Sequence, residues 1–206
     1  MIDLSGKTFC TFGLRGMGKS TLDDSILAEY GKHGLYYDTL SEAPEDSPYD
    51  IYQPKDRYSV PELEQIVRSI VPVNTMIAPH YRCFCIDEAN RFCPSKPAPL
   101  PPLIADLNDQ CRHYTITVGY IARRPIQLNQ DLTELADYLF IFRLKGNNDL
   151  KYLDNLVSGL GDAVSRLADF EFVMVKPDRS FVICDPVKPR QGWLSRADRL
   201  LAHEGT

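Results

Sequence analysis

The sequence contains no apolar run long enough to cross a bilayer. Its longest apolar stretches, 115–122 and 138–142, are far shorter than the roughly 20 residues that a transmembrane helix needs. The first residues, 1–7, also lack the basic and apolar regions of a secretory signal peptide. These absences predict a cytoplasmic protein with no membrane span.

The sequence also lacks a strong excess of charge of either sign. It has 23 basic and 28 acidic residues among 206, which gives a formal net charge of −5. This balance excludes a global attraction to nucleic acid or to anionic membranes, so any nucleic-acid site must be a local basic patch. The 44% apolar and 25% charged residues are usual for a globular protein.

The six cysteines are scattered through apolar segments, and a chain of this length does not need disulfides to fold. We interpret them as reduced thiols. His80, Cys83, Cys85 and Cys93 form the one cluster with metal-binding residue types. Cys83 and Cys85 alternate inside a strand-like run, whereas zinc pairs are normally spaced C-x2-C on a turn, so we interpret them as core residues.

Strand-like and helix-like segments alternate along the chain. A β-rich segment at 7–12 precedes a glycine-rich loop at 13–18 and a helical segment at 19–32. Further strands are predicted at 34–38, 82–87, 114–122 and 137–143, and further helices at 59–72, 103–112, 128–136 and 148–168. This alternation predicts an α/β fold with a mostly parallel central sheet flanked by helices.

Two other regions differ from this pattern. The proline-containing stretch 41–58 is predicted to be a loop, and residues 59–62 carry the signature of a helix-starting capping box. The segments 170–176 and 180–185 flank a Pro-Asp-Arg turn, which predicts a C-terminal antiparallel hairpin at the edge of the sheet.

A phosphate-binding loop motif lies where its mechanism requires. Gly13-Leu-Arg-Gly-Met-Gly-Lys-Ser20 matches G-x-x-x-x-G-K-[ST] between a predicted strand and the helix that it opens. The glycines let backbone N–H groups surround a phosphate, and the helix N-terminus adds positive partial charge. The predicted nucleotide-binding residues are Gly13, Leu14, Arg15, Gly16, Met17, Gly18, Lys19, Ser20 and Thr21. Lys19 should reach the β- and γ-phosphates, and the Ser20 hydroxyl should bind Mg²⁺.

An acidic pair follows the apolar strand at 82–86. Asp87 is predicted to hold Mg²⁺, and Glu88 is predicted to orient and deprotonate the attacking water. Two adjacent carboxylates favour hydrolysis, because a kinase needs only the acid that holds the metal. The Asn-Lys-x-Asp motif of GTPases is absent from the chain. We therefore predict a P-loop ATPase that uses ATP and Mg²⁺.

These motifs resemble the FtsK/HerA class of P-loop motors. The resemblance covers roughly residues 7–150 and rests on the P-loop, the strand that ends in Asp87-Glu88, the segment Ile121-Ala-Arg-Arg-Pro125 and Phe142-Arg-Leu144. Within that class, so short a chain is similar to the genome-packaging ATPases of tailless icosahedral viruses with an internal membrane. The resemblance implies a hexamer-like ring that hydrolyses ATP between subunits and pushes double-stranded DNA through its pore. It also implies a capsid or membrane-vertex partner and a location in the host cytoplasm or the virion.

The sequence departs from that class at one position. Arg123 stands where relatives usually carry a glutamine that senses the γ-phosphate. A guanidinium could contact the phosphate as a cation instead. Arg123 and Arg124 could equally act as arginine fingers across a subunit boundary or pair with surface acids, and the sequence leaves these roles open.

The expected organisation is an ATPase domain at 1–185 and a mildly basic tail at 186–206, in which Trp193, Ala197, Leu200 and Leu201 line one face of a possible short helix. Two other functions stay open. One is an assembly or secretion ATPase resembling the zonula occludens toxin-like proteins of filamentous phages, which acts on protein or membrane partners. The other is a small-molecule kinase that uses Arg123 and Arg124 over a transferring phosphate.

Overall fold

The computed structural model describes residues 2–44, 46–72, 74 and 76–190, and these build one eight-stranded sheet with helices on both faces. The strands are β1 Thr8–Phe12, β2 Gly34–Tyr37, β3 Asp50–Tyr52, β4 Cys83–Ile86, β5 Thr117–Ala122, β6 Tyr138–Phe142, β7 Phe172–Val175 and β8 Phe181–Cys184. The helices are α1 Lys19–Tyr30, α2 Val60–Ile70, α3 Pro102–Tyr114, α4 Gln130–Leu135, α5 Asn147–Leu156 and α6 Leu160–Ser165.

The order of the strands is β3-β2-β4-β5-β1-β6-β7-β8. The pairs from β3 to β6 are parallel, and the two pairs made by β7 are antiparallel. The predicted α/β fold, its mostly parallel sheet and its C-terminal hairpin are therefore confirmed. Because β5 separates β1 from β4, the end of β5 lies between the P-loop and the acidic pair.

Two predicted elements were wrong in detail. The stretch 41–58 contains β3, whose three residues pair in parallel with β2 but are too short and too exposed to show a strand pattern. The helix predicted at 148–168 is two helices, because α5 ends at the extended Val157 and Gly159 begins α6 with a φ of 81°. Glycine adopts this left-handed conformation without steric cost.

The helix α2 begins close to the predicted residue, but the acid in its first turn, Glu62, makes different hydrogen bonds from those of a capping box. The Ser59 side chain accepts a hydrogen bond from the Glu62 N–H at 3.2 Å, as an N-cap should. The Glu62 carboxylate accepts the N–H groups of Lys55 and Asp56 at 2.9 and 3.1 Å. Glu62 therefore fixes the loop before the helix, and the reciprocal bond of a capping box is not formed.

The sheet separates two apolar cores. Side chains of α1 pack on one face, whereas α2, α3, α4, α5 and α6 contribute buried side chains to the other. Cys83 and Cys85 are buried in the core on the α1 face and Cys93 in the opposite core, as the sequence predicts for core residues. All six cysteines are unpaired thiols.

The close packing of the sheet centre depends on Gly119 in β5. A Cβ atom at this position would lie 2.4 Å from Cζ of Phe9 and 2.8 Å from Sγ of Cys85. These side chains come from the two neighbouring strands and fill the space above the glycine.

No helix among the described residues is long and apolar enough to span a bilayer.

The chain after β8 returns to the α1 face. Val187 packs against that core, and Nε of Arg190 lies 3.3 Å from Oδ2 of the buried Asp24 in α1. The helix predicted around Trp193, Ala197, Leu200 and Leu201 falls outside the described residues.

Candidate functional site

The P-loop joins the buried end of β1 to the first residue of α1. Gly16 and Gly18 have φ values of 77° and 101°, in the left-handed region that favours glycine. A Cβ atom on Gly13 would lie 2.6 Å from Cβ of Phe142, so the loop passes directly over β6. At Gly16 such an atom would meet nothing within 4 Å. The loop therefore packs on the sheet at its beginning and is open to a ligand further along.

Lys19 places its ammonium group inside the curve of the loop. Its Nζ donates hydrogen bonds to the carbonyl oxygens of Gly13 at 2.8 Å and Leu14 at 3.1 Å. Burial lowers the pKa of this group, and the negative charges of Asp23 and Asp87 oppose that shift. The positive charge is thus held where the motif predicts that phosphates bind.

Asp87 follows β4 at the sheet edge from which the P-loop also projects. Its N–H donates to the Tyr37 carbonyl oxygen at 3.1 Å, and its own carbonyl oxygen accepts the Thr39 hydroxyl at 2.8 Å. Burial raises the pKa of the Asp87 carboxyl to about 8, and the neighbouring Glu88 and Asp38 contribute to that rise. A carboxylate crowded by other acids favours a nearby cation, and oxygen ligands suit Mg²⁺.

Glu88 is turned into the site by an unusual backbone conformation. It has a φ of 48° and a ψ of 41°, which non-glycine residues seldom adopt outside special sites. Its side chain is nearly buried, and Oε1 lies 2.8 Å from Nε and 2.7 Å from Nη2 of Arg123. The predicted base is therefore bound by an arginine from the end of β5.

Arg123 and Arg124 have different partners. The side chain of Arg123 is 49% exposed and faces Glu88, whereas Nε of Arg124 lies 2.8 Å from Oδ2 of Asp149. Asp149 is buried in the first turn of α5. The structure brings Arg123 to the other predicted catalytic residues but directs Arg124 away from them, and the role of Arg124 as an arginine finger stays a prediction.

One cleft of about 280 Å³ joins most of the predicted site residues. Those that line it are Arg15, Gly16, Lys19, Ser20, Asp87, Glu88 and Arg123. Leu14 and Met17 are half-buried against the two apolar cores, and Thr21 lies in the first turn of α1. The cleft thus brings three cationic side chains, the acids Asp87 and Glu88 and the Ser20 hydroxyl together around an open loop, the set of groups that triphosphate and Mg²⁺ chemistry needs.

Sequence reasoning missed Asp23, which lies beneath this site. Its carboxyl is buried, and Oδ1 accepts the Thr11 hydroxyl at 2.8 Å, while no described residue donates a hydrogen bond to Oδ2. Burial raises its pKa to about 7, opposed by the hydrogen bond from Thr11 and the charge of Lys19. Spacing could have indicated Asp23 from the sequence. Asp23 lies four residues after Lys19, so the two side chains share one face of α1.

Comparison with known proteins shows similarity in structure only. No protein-family model matches the chain, and no curated protein is similar to it in sequence. The genome packaging NTPase B204 from Sulfolobus turreted icosahedral virus 2, in complex with ATP-gammaS, superimposes with a TM-score of 0.71 at 16% identity, over 91% of this chain and 100% of that chain.

Two other solved structures share the fold. The pCW3 conjugation coupling protein TcpA, in a monomer form with ATPgS, gives a TM-score of 0.64 at 14% identity, over 87% of this chain and 60% of that chain. The N-terminal domain of zonular occludens toxin from Neisseria meningitidis gives 0.52 at 13% identity, over 89% of this chain and 96% of that one. The chain therefore has the fold of packaging and coupling NTPases, as its resemblance to the FtsK/HerA class predicts.

Proposed function

We propose that this chain is a Mg²⁺-dependent ATPase that moves double-stranded DNA, and that its task is packaging a viral genome into a capsid. The observation that carries the proposal is the single cleft in which Lys19, Asp87, Glu88 and Arg123 meet. The fold adds support, because it is shared with a protein described as a DNA-packaging ATPase, at a TM-score of 0.73.

Nucleotide binding would use the loop and the start of α1. The backbone N–H groups at 13–18 would surround the phosphates, and Lys19 would exchange its carbonyl partners for β- and γ-phosphate oxygens. The Ser20 hydroxyl and the Asp87 carboxylate are the groups that would hold Mg²⁺. The metal would neutralise negative charge on the phosphate oxygens.

Hydrolysis would depend on a change of partner by Arg123, whose guanidinium is bound to Glu88. A γ-phosphate entering the cleft offers Arg123 a more highly charged partner, and its half-exposed side chain has room to move. Once released, the Glu88 carboxylate would orient the water and take its proton. Arg123 would then stabilise the charge of the transferring phosphoryl group.

The motor function requires more than one copy. We propose a hexamer-like ring around the DNA, with a capsid or membrane-vertex protein as the docking partner, on the basis of the resemblance and the shared fold. Binding to the DNA backbone would come from a local basic surface, because the net charge of the whole chain is −5.

The test is phosphate release from ATP and Mg²⁺ with and without double-stranded DNA, across a salt series. We expect stimulation by DNA that falls as salt rises, because phosphate contacts release counterions. Lys19→Ala serves as the blank, and Lys32→Ala, an exposed lysine away from the cleft, as the matched control.

Two outcomes would contradict the proposal. Turnover with no response to DNA at any salt would favour the protein-directed assembly ATPase, whose structural counterpart is the zonular occludens toxin domain. Phosphate transfer only after an acceptor is added would favour the kinase.

A further inference from the structure

An exposed aromatic ring lies beside the P-loop, outside the cleft described above. Phe170 is 51% exposed, in the turn between α6 and β7. Its φ of 69° is a conformation that aromatic residues seldom adopt. Such backbone strain persists where the surroundings enforce it, and it is concentrated at ligand-binding sites.

The turn that carries this ring is fixed by side chains on both sides. Arg143, which follows β6, donates from Nη1 to the Leu167 carbonyl oxygen at 3.3 Å and pairs through Nη2 with the Asp169 carboxylate. The Glu171 carboxylate accepts the Ala168 N–H at 2.8 Å. The ring is thus presented on a turn whose backbone is anchored before and after it.

The ring lies beside the last glycine of the P-loop. A Cβ atom on Gly18 would lie 3.6 Å from Cδ1 of Phe170 and 3.2 Å from Cε1 of the buried Phe142. Phe142 therefore supports the loop from the sheet, and Phe170 lies next to it with half of its surface free. A ligand leaving the loop on this side would meet an aromatic face.

The strand order gives the direction in which a nucleotide would extend. The acidic pair follows β4, on one side of β1, so the γ-phosphate belongs on that side. Phe170 precedes β7, which lies on the opposite side of β1 beyond β6. A nucleotide with its γ-phosphate near Glu88 would extend its base across the P-loop toward Phe170.

From this arrangement we infer that Phe170 is the platform on which the base of the bound nucleotide stacks, an inference that rests on the proposed nucleotide binding. Stacking on an aromatic ring depends on the π-face that every base has. The site therefore selects a nucleobase as a class, favours the larger purines, and discriminates weakly between adenine and guanine.

The test compares ligands with and without a base, in the absence of turnover. ADP, GDP and inorganic tripolyphosphate are titrated calorimetrically, with Mg²⁺, into the unaltered protein and into Phe170→Ala. We expect Phe170→Ala to weaken ADP and GDP binding by about tenfold each and to leave tripolyphosphate binding unchanged. Phe170→Trp should restore ADP affinity, and Tyr58→Ala, which removes another exposed aromatic, should not change it.

Unchanged ADP affinity in Phe170→Ala would overturn the inference. Equal weakening of ADP and tripolyphosphate would also overturn it, because the substitution would then be acting on the P-loop rather than on the base. The proposed function can fail independently of this inference. If ADP affinity depends on Phe170 but DNA does not stimulate turnover, Phe170 binds the base and the protein is not the proposed DNA motor.

Discussion

The guanidinium of Arg123 lies against the carboxylate of Glu88, with its Nε and Nη2 atoms 2.8 and 2.7 Å from the same oxygen, Oε1. In this arrangement two N–H groups of one cation are directed at that oxygen. In the proposed reaction this ion pair would keep Glu88 from acting as a base until another anion competes for the arginine. A γ-phosphate is that anion in the proposed reaction, so substrate arrival and base release are the same event.

Replacing Glu88 with glutamine should separate binding from turnover. A glutamine side chain would keep the size of the glutamate but could not take a proton from water, so we expect Glu88→Gln to lower kcat by about 10²- to 10⁴-fold. ADP affinity should stay within a factor of about two, because the P-loop that binds the phosphates is unchanged. Calorimetry and phosphate release measure the two quantities, with Glu29→Gln on the exposed surface of α1 as the control. Full activity in Glu88→Gln would refute the proposed base.

Arg123→Ala should affect catalysis more than folding. The pair with Glu88 is more exposed than the pair of Arg124 with Asp149, so its loss should lower the urea midpoint less than Arg124→Ala does. Turnover should fall roughly 10³-fold if the guanidinium stabilises the transferring phosphoryl group. Arg123→Lys should recover little activity, since an ammonium cannot present the same fork of donors. Normal turnover in Arg123→Ala would remove this residue from the mechanism.

Arg124→Ala should instead weaken the fold, because it leaves the buried carboxylate of Asp149 without its cation. We expect a loss of about 2 kcal/mol in the free energy of unfolding, below the value for a fully buried pair because Arg124 is 39% exposed. Urea denaturation measures it. Arg166→Ala is the matched control, since its pair with Asp162 is exposed and should contribute less than about 0.5 kcal/mol. Equal losses for the two variants would contradict a structural role for Arg124.

The carboxyl of Asp23 should make stability depend on pH. In the unfolded chain its pKa is near 3.8, and in the folded protein burial raises it to about 7. Between these values the folded state binds more protons than the unfolded state, so this group lowers stability as pH rises from about 4 to about 7.

Asp23→Asn should remove that contribution while its amide oxygen still accepts the hydrogen bond from Thr11. The difference in free energy of unfolding between the variant and the unaltered protein should shift in favour of the variant by at most about 4 kcal/mol as pH rises through this window. Urea denaturation at several pH values measures the difference, with the exposed Asp109→Asn as the control. Parallel pH profiles for Asp23→Asn and the unaltered protein would show that the buried carboxyl is charged throughout.

Gly119→Ala should destabilise the centre of the sheet. The added methyl group would lie 2.4 Å from the ring of Phe9, which is fully buried and cannot move aside without disturbing its neighbours. Overpacking of this kind costs about 1–3 kcal/mol. Gly34→Ala provides a comparison, because its new Cβ would meet atoms no closer than 3.1 Å. Thermal unfolding of both variants would show whether the closer contact at Gly119 makes Gly119→Ala the less stable of the two.

The parts of this protein that sequence predicts well are the local ones. The P-loop is read from residues within one short segment, and the buried strands from continuous apolar runs such as 83–86 and 138–142. The parallel sheet follows from their alternation with helices. Because the carboxyl ends of parallel strands share one edge, the sequence also predicts that the P-loop and Asp87-Glu88 meet there.

The parts that were missed depend on contacts between distant segments. The edge strand β3 exists because β2 offers it a partner, and its three residues carry no pattern of their own. The burial of Asp23 depends on where α1 packs on the sheet. The different partners of Arg123 and Arg124 depend on α5, which brings Asp149 to one side of the β5 terminus only.

The opposite directions of these two neighbouring side chains make the length of the segment after β5 as important as its composition. Deleting Ala122 would leave both arginines in the chain but would move Arg124 to the place of Arg123 and Pro125 to the place of Arg124. The cleft would keep an arginine, whereas Asp149 would lose its cation. This deletion is therefore expected to fail through folding, whereas Arg123→Ala is expected to fail through chemistry.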